Sequence, residues 1–269
     1  GFIGSHLVQN LVDSKSYVKV VDNLERGKIE YIHSFLDDIE FIEGDVSNIS
    51  TCYNVCDGAD IVIHLASKVG GIGYYLAKPG EVILDNLRID SNMIHAALEC
   101  GVDRFLYASS AHVYPIELQG TPDSKAIREE QAFPANPILS YGWAKLVAEK
   151  QLEYLVQQGL SMRVAIARFI GVYGENQDIG LTTGSVIPVF SRRAAEYPRN
   201  GPFTIWGTGE ESRSYCFIDD AIDCIVRMIK KLDDTPIVGP LNVGKDEKVT
   251  IFDIAQRIIE ISRKNIEIK

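Results

Sequence analysis

Gly1-Phe2-Ile3-Gly4-Ser5-His6-Leu7-Val8, with Tyr-Val-Lys-Val-Val-Asp at residues 17–22, is the part of the sequence that indicates the fold most clearly. Two glycines three residues apart at the start of a helix let a pyrophosphate approach the backbone, and the helix N-terminus attracts it. Asp22 follows Gly4 by 18 residues and ends an apolar run. A carboxylate in that place accepts hydrogen bonds from the ribose hydroxyls of a bound dinucleotide.

The Asp22 carboxylate also selects between the two common dinucleotides, because its negative charge repels a 2′-phosphate. Asp22 therefore predicts that the cofactor is NAD. Gly1 and Gly4 correspond to the last two glycines of the usual three-glycine turn. We therefore expect the strand that normally precedes this turn to lie outside the given sequence.

Apolar strand-like runs alternate with helical patterns over the first two thirds of the chain. The predicted strands are residues 17–22, 39–42, 60–66, 104–109 and 162–169, and the predicted helices are 5–13, 80–100 and 137–158. Strands rich in Val and Ile without polar alternation are typical of a parallel sheet covered on both faces. The pattern predicts an α/β fold, a Rossmann-type doubly wound parallel sheet with a smaller C-terminal substrate-binding lobe.

The regular alternation of predicted strands and helices ends near residue 170, where loops rich in Gly and Pro begin. The predicted elements that follow are helices at 184–196, 219–231 and 251–262 and short strands at 203–206 and 241–243. We therefore predict two domains. Residues 1–169 form the dinucleotide-binding domain, and residues 170–269 form mainly the substrate lobe, with some segments returning to the first domain.

Composition excludes several classes of function. The net charge of −10 argues against a nucleic-acid-binding surface, and no apolar stretch reaches membrane-spanning length. The cysteines are scattered and lack the paired spacing of a metal site: Cys52, Cys56, Cys100, Cys216 and Cys224. We therefore expect reduced thiols, a cytoplasmic location, and no metal, nucleic-acid or membrane partner.

Tyr141-Gly-Trp-Ala-Lys145 is the motif that carries chemistry. Residues four apart share one face of a helix, so the phenol and the ammonium can reach one cleft. A cation beside a phenol lowers its pKa, which predicts that Tyr141 acts as a general base near neutral pH. Ser110, at the end of a predicted strand, can hydrogen-bond the same substrate oxygen.

The chain resembles the NAD-dependent nucleotide-sugar epimerase/dehydratase family of extended short-chain dehydrogenases/reductases. The matching motifs are Gly-Phe-Ile-Gly at 1–4, Val-Val-Asp-Asn at 20–23, Gly-Asp-Val at 44–46, Ile-His-Leu-Ala at 63–66, Asp-Asn-Leu at 85–87, Tyr-Ala-Ser-Ser at 107–110, Tyr-Gly-Trp-Ala-Lys at 141–145, Arg-Phe at 168–169, Val-Tyr-Gly at 172–174 and Phe-Ile-Asp-Asp at 217–220. The resemblance implies NAD, a nucleotide-diphosphate sugar carrying GDP or UDP, and a homodimer formed through a four-helix interface.

The resemblance also implies the residues that bind the cofactor. They are Gly1, Phe2, Ile3, Gly4, Asp22, Asn23, Asp45, Val46, Leu65, Ala66, Lys68, Asn86, Tyr141 and Lys145. The substrate-binding residues it implies are Gly71, Gly73, Ser110, Ser185, Val186 and Arg213. Arg213 is assigned to the diphosphate, because a guanidinium can fork onto two phosphate oxygens.

The shared chemistry implied by the family begins at the sugar 4-hydroxyl, from which Tyr141 removes a proton while NAD takes a hydride. The resulting 4-keto group acidifies the C–H bonds at C3 and C5. Residues 68–75 resemble a loop of GDP-mannose 3,5-epimerases and of GDP-fucose synthases, which are reductases that prefer NADPH and are therefore opposed by Asp22. Residues 109–115 resemble the 3,5-epimerases, with His112 in the place of an acid/base Cys and Ser185 in that of its Lys partner. A His exchanges protons near neutral pH, whereas a Ser does not.

These departures leave several reactions open. The prediction is a GDP-mannose 3,5-epimerase-like enzyme with Ser110, His112, Tyr141 and Lys145 as catalytic residues. A UDP- or GDP-sugar 4-epimerase is the alternative. A 4,6-dehydratase is disfavoured, because Ala111 and His112 replace the Asp-Glu pair of dehydratases. A silent dinucleotide-binding regulator is disfavoured because Tyr141 and Lys145 are retained.

Overall fold

The structure is a computed structural model, and it describes residues 1–70, 72–119, 125–181, 183–199 and 201–269. The helices are α1 (Phe2–Asp13), α2 (Ile49–Cys56), α3 (Ile72–Ala77), α4 (Pro79–Glu99), α5 (Ser140–Gln157), α6 (Val186–Glu196), α7 (Ile218–Lys231) and α8 (Ile251–Ser262). The strands are β1 (Val18–Asp22), β2 (Ile39–Glu43), β3 (Ile61–His64), β4 (Arg104–Ser110), β5 (Arg163–Phe169), β6 (Val172–Tyr173), β7 (Ser212–Arg213), β8 (Cys216–Phe217), β9 (Ile237–Val243) and β10 (Val249–Thr250).

A parallel sheet in the order β3-β4-β5-β9 forms the centre of the molecule. β1 and β2 form a second parallel pair, in which Asp22 lies opposite Glu43 at the carboxyl end. The carboxyl ends of parallel strands meet at one edge of a sheet, where α/β proteins bind their ligands. Ser110 stands at this edge, because it is the last residue of β4.

Helices cover both faces of the central sheet. On one face, buried residues of α2, α4 and α5 pack against Phe105 and Tyr107 of β4. On the other face, α1 and α7 pack against Leu106 of the same strand. Alternate residues of β4 thus enter two separate cores, which explains why the strand carries no polar alternation. The predicted α/β fold with a doubly covered parallel sheet is confirmed.

The C-terminal third of the chain contributes to two regions. β9 pairs with β5 in the central sheet, and α7 packs on that sheet. In contrast, α6 and α8 pack against each other in a separate apolar cluster that includes Phe190, Phe203 and Ile254. The division into domains at residue 169 stays a prediction.

Most predicted elements agree with the structure to within a few residues. The strand predicted at 203–206 is wrong, because Phe203 makes only a single bridge with Ile268. The sequence analysis missed α2 and a 3₁₀ helix at Ile29–Asp38. None of the helices in the described ranges is long and apolar enough to cross a membrane.

Candidate active site

Helix α5 presents Tyr141 and Lys145 one turn apart, near its N-terminus. Both side chains are buried, Tyr141 at 8% and Lys145 at 1% exposure. Gly142 lies between them because the helix packs directly on the turn after β4. A Cβ atom at Gly142 would stand 2.0 Å from the carbonyl oxygen of His112. This close approach brings the start of α5 against the end of β4.

The turn after β4 brings Ser110 and His112 to Tyr141. The Oγ of Ser110 is 2.9 Å from the Nδ1 of His112 and accepts a hydrogen bond from the His112 backbone N–H. The imidazole stands edge-on to the Tyr141 ring, with 5.6 Å between the ring centroids. Tyr75 stacks on Tyr141 at 5.1 Å, and its ring also stands edge-on to the imidazole of His112 at 6.1 Å. A hydroxyl, an imidazole and a phenol therefore meet at one wall of the cleft.

The charge of Lys145 faces a carboxylate that the sequence analysis did not single out. The Nζ of Lys145 lies 3.5 Å from the Oδ1 of Asp90, a fully buried residue of α4. The ammonium also lies 4.6 Å from the ring centroid of Tyr107 and 5.8 Å from that of Tyr141. Lys145 is thus held between α4, β4 and its own helix.

This arrangement changes the expected acidity of Tyr141. The sequence analysis predicted that Lys145 lowers the pKa of the phenol, and that prediction is wrong for this structure. Burial raises the pKa of Tyr141, a hydrogen bond with Ser67 opposes the rise, and the charge of Asp90 adds to it. The Lys145 ammonium, which is paired with Asp90, does not overcome these effects.

The imidazole of His112 is neutral at neutral pH. Burial lowers the pKa of His112, and the positive charge of Arg213 lowers it further. Arg213 belongs to β7, which pairs with β10 in the C-terminal third of the chain. Arg213 and His112 both line the cleft. Ser185, just before α6, accepts a hydrogen bond from the side chain of Gln177 at 3.0 Å.

The start of α1 and the end of β1 have the chemistry that a dinucleotide requires. The backbone nitrogen of Gly1 lies 3.1 Å from the Oδ2 of Asp22, so the helix start and the carboxylate are adjacent. The first turn of α1 contains no acidic residue, which leaves its positive end suited to an anionic pyrophosphate. Asp22 offers only acceptors, as ribose hydroxyls require. These residues therefore fit NAD.

One continuous cleft of about 3850 Å³ joins the two ends of the site. The sequence-predicted residues that line it are Gly1, Phe2, Ile3, Gly4, Asp22, Asn23, Asp45, Val46, Leu65, Ala66, Lys68, Gly73, Ser110, His112, Tyr141, Lys145, Ser185, Val186 and Arg213. Gly71 lies outside the described residues. Elements from both parts of the chain thus contribute to one binding space.

The side chain of Asn86 is fully buried and does not line the cleft, so its predicted contact with the cofactor stays a prediction. Its Oδ1 accepts from the backbone N–H of Lys68 at 2.9 Å, and its Nδ2 donates to the Lys68 carbonyl at 3.0 Å. Asn86 also accepts from the hydroxyl of Ser67. It therefore supports the loop at 67–68, which lies against Tyr141 through Ser67.

The comparisons with known proteins agree with this geometry. Residues 1–244 match the family model described as "NAD dependent epimerase/dehydratase family". The chain belongs to this family. NAD is therefore its cofactor, as Asp22 predicts, and the resemblance drawn from the motifs is confirmed.

The relatives of the chain and a solved structure of the same fold have names that describe different reactions. The chain is 31% identical to "GDP-mannose 3,5-epimerase 1" of Oryza sativa subsp. japonica, over all of this chain and 68% of the relative. It is 30% identical to "UDP-glucuronic acid decarboxylase 3" of Arabidopsis thaliana, over all of this chain and 74% of the relative. The solved UDP-glucose 4-epimerase of Thermotoga maritima, 23% identical, has a TM-score of 0.83 over all of this chain and 82% of its own. That last likeness concerns the fold alone.

Metal chemistry has no visible centre in this site. Among the described residues, no group of three or more His, Cys, Asp or Glu side chains is arranged to hold a metal ion.

The functional candidates that sequence reasoning missed are Asp90 and Ser67. The signal for Asp90 was its place on the buried face of α4, where Val82, Ile89 and Met93 are its apolar neighbours.

Proposed function

We propose that this protein is an NAD-dependent nucleotide-sugar epimerase that works through a transient 4-keto sugar, with a GDP-mannose 3,5-epimerase-like reaction. The observation that carries the proposal is the meeting of Ser110, His112 and Tyr141 at one wall of the cleft, with Lys145 behind them. The family match and the relatives in nucleotide-sugar metabolism support the substrate class.

Tyr141 and Ser110 have different roles in the first step, the oxidation of the sugar at C4. Tyr141 takes the proton of the sugar 4-hydroxyl, and Ser110 hydrogen-bonds the same oxygen. NAD, when bound, would supply the hydride acceptor and a positive charge. Burial and Asp90 raise the pKa of Tyr141 in the cofactor-free protein, so the proposal requires the positive charge of bound NAD to lower that pKa before Tyr141 can accept a proton.

His112 provides the step that follows the ketone. A ketone at C4 makes the C–H bonds at C3 and C5 acidic, and a neutral imidazole can remove a proton there. His112 is neutral at neutral pH and lies against Tyr141. Arg213 and His112 both line the cleft, so a diphosphate held by this guanidinium would place the sugar near both side chains.

A 4-epimerase is the second candidate, and Ser185 favours it. Ser185 stands where 3,5-epimerases carry a Lys, and a hydroxyl does not exchange protons near neutral pH. Its hydroxyl accepts a hydrogen bond from Gln177. Inversion at C4 needs Ser110, Tyr141, Lys145 and NAD but no second acid/base pair. The Asp-Glu pair of a 4,6-dehydratase is absent from positions 111 and 112.

The position of solvent deuterium in the product separates these reactions. The full chain with NAD is incubated in D₂O with GDP-mannose, UDP-glucose or UDP-glucuronic acid, and the sugar is examined by NMR. Deuterium at C3 or C5 of GDP-mannose supports the 3,5-type reaction. Inversion at C4 without deuterium supports the second candidate, and loss of carbon dioxide from UDP-glucuronic acid would show a decarboxylase.

The variant His112→Gln tests the role of His112, because glutamine keeps hydrogen-bonding groups but does not exchange a proton. We expect the variant to lose deuterium incorporation at C3 and C5 by at least about 100-fold. Deuterium incorporation at the wild-type rate in this variant would contradict the role of His112. Tight NAD binding with no turnover of any sugar would indicate a catalytically silent member of the family.

We also propose a homodimer formed through α4 and α5. Exposed apolar side chains lie on both helices, with Leu84 on α4 and Trp143, Val147 and Tyr154 on α5. Sedimentation velocity of the purified chain tests the dimer, and a monomer at micromolar concentration would contradict it.

A cytoplasmic location, proposed from the five free cysteines, is tested by cell fractionation.

A further inference from the structure

Asp90 is the meeting point of three elements beneath the proposed active site. Its carboxylate is fully buried on α4. It lies 3.0 Å from the Nε2 of His64 on β3 and accepts from the hydroxyl of Tyr107 on β4 at 2.7 Å. The ammonium of Lys145 on α5 completes the set at 3.5 Å. A carboxylate only accepts hydrogen bonds when ionised, so His64 presents its N–H to Asp90.

The charges in this cluster depend on one another. Burial acts to raise the pKa of Asp90, but Lys145 and His64 overcome it, so the pKa lies below its ordinary value. Burial lowers the pKa of Lys145, and the charge of Asp90 opposes that fall. A buried ammonium without a counter-ion loses its proton readily. The positive charge of Lys145 therefore depends on Asp90.

The same pairing fixes where the ammonium lies. Lys145 sits 4.6 Å from the Tyr107 ring centroid, and Tyr107 is itself hydrogen-bonded to Asp90. Among the described residues, the ammonium has a single carboxylate within 4 Å. Since an ammonium has three donors, part of its hydrogen-bonding capacity is left for a ligand in the cleft that Lys145 lines.

We propose that Asp90 is a positioning residue, a buried counter-ion that holds Lys145 charged and in place behind Tyr141. This inference rests on the proposed function, because that function assigns Lys145 to the reaction. The groups that face Lys145 are Asp90 on α4, Tyr107 on β4, and Tyr141 and Glu149 on its own helix. The groups that face Tyr141 are Ser67, Tyr75, Asp90, His112 and Lys145.

Removal of the Asp90 charge lowers the pKa of both Lys145 and Tyr141. Without its counter-ion, Lys145 loses its proton at lower pH, because burial is no longer opposed. The pKa of Tyr141 also falls, because Asp90 contributes to raising it. If the reaction needs ionised Tyr141 and protonated Lys145, the whole pH profile of kcat/KM moves toward acid.

The first test is the pH profile of Asp90→Asn in the full chain with NAD and the sugar that the wild type converts. We expect the optimum to move toward acid by about one pH unit or more. Asp85→Asn is the matched control, because it removes a carboxylate from the partly exposed face of the same helix, and its optimum should stay at the wild-type value. A lower rate with an unmoved optimum in D90N would overturn the proposal.

The second test needs neither cofactor nor turnover. Melting temperatures of D90N, K145M and D90N/K145M are compared at several pH values. We expect D90N to lower the melting temperature more at pH 6 than at pH 9, since Lys145 is increasingly neutral at the higher pH. The double variant should recover most of the loss.

Independent, additive losses in this cycle would overturn the ion pair and the proposal with it. If no nucleotide sugar is converted by the wild type, the proposed function fails, but the melting cycle still tests whether Asp90 holds the charge of Lys145. Coupling in the cycle together with an unmoved pH optimum would show a structural pair and would overturn the positioning role.

Discussion

Two buried ion pairs involve α5, and they differ in how completely their charges are hydrogen-bonded. The guanidinium of Arg168 contacts Glu149 through two bonds, at 3.0 Å and 2.7 Å, and Ser109 donates to the same carboxylate. The Nη1 of Arg168 donates to the Tyr114 hydroxyl at 3.1 Å and to the Glu129 carbonyl at 2.7 Å. In contrast, Lys145 makes one contact with Asp90, at 3.5 Å.

The difference in geometry between the two ion pairs indicates that one has a structural role and the other a role in the reaction. A planar guanidinium held by two parallel bonds is fixed in one place, and its charge is fully compensated. An ammonium with one carboxylate contact keeps donors for a ligand. Lys145 lines the cleft, whereas Arg168 does not. We infer that the Arg168–Glu149 pair supports the edge of the sheet and that the Lys145–Asp90 pair supports the reaction.

The largest expected effect follows from breaking the Arg168–Glu149 pair. Arg168→Met leaves Glu149 as an uncompensated buried carboxylate, so we expect the free energy of unfolding to fall by about 3–5 kcal/mol. Urea denaturation measures the loss. The double variant R168M/E149L removes both charges and should regain much of the stability. A loss below about 1 kcal/mol in R168M would contradict the structural role of the pair.

A smaller effect is expected at His112, whose pKa is lowered by burial and by Arg213. As the pH falls through about 6.5, the unfolded chain binds a proton at this side chain that the folded protein does not bind. Stability therefore falls with acid, and His112→Gln should remove that part of the fall between pH 7 and pH 5. Melting curves check this, and an unchanged acid dependence would contradict a depressed pKa.

The sequence predicted the fold well because its signals are local. The alternation of Val- and Ile-rich runs with amphipathic helices identified β1 and β5 to within one residue. The strand predicted at 203–206 failed because its hydrophobic residues pack against α6 and α8 instead of extending a sheet. Whether Phe203 enters a sheet or a helical cluster depends on distant partners that a local pattern does not contain.

The candidate site was predicted in its residues but not in its electrostatics. Motif spacing located Ser110, Tyr141 and Lys145, because a strand end and a helix turn fix their relative positions. Asp90 was missed, since it lies 55 residues from Lys145 in the chain and the two meet only through the packing of α4 on α5. The pKa of Tyr141 was mispredicted for the same reason.

The central claim is that Tyr141 takes a proton from a sugar hydroxyl in an NAD-dependent epimerase. Tyr141→Phe tests it most directly, because the change removes one oxygen atom and keeps the ring that Tyr75 stacks on. NAD binding and sugar turnover are measured on the same preparation. The account predicts that the variant still binds NAD while kcat falls by about 100- to 10,000-fold. Turnover at the wild-type rate in a folded, NAD-binding Tyr141→Phe protein would contradict it.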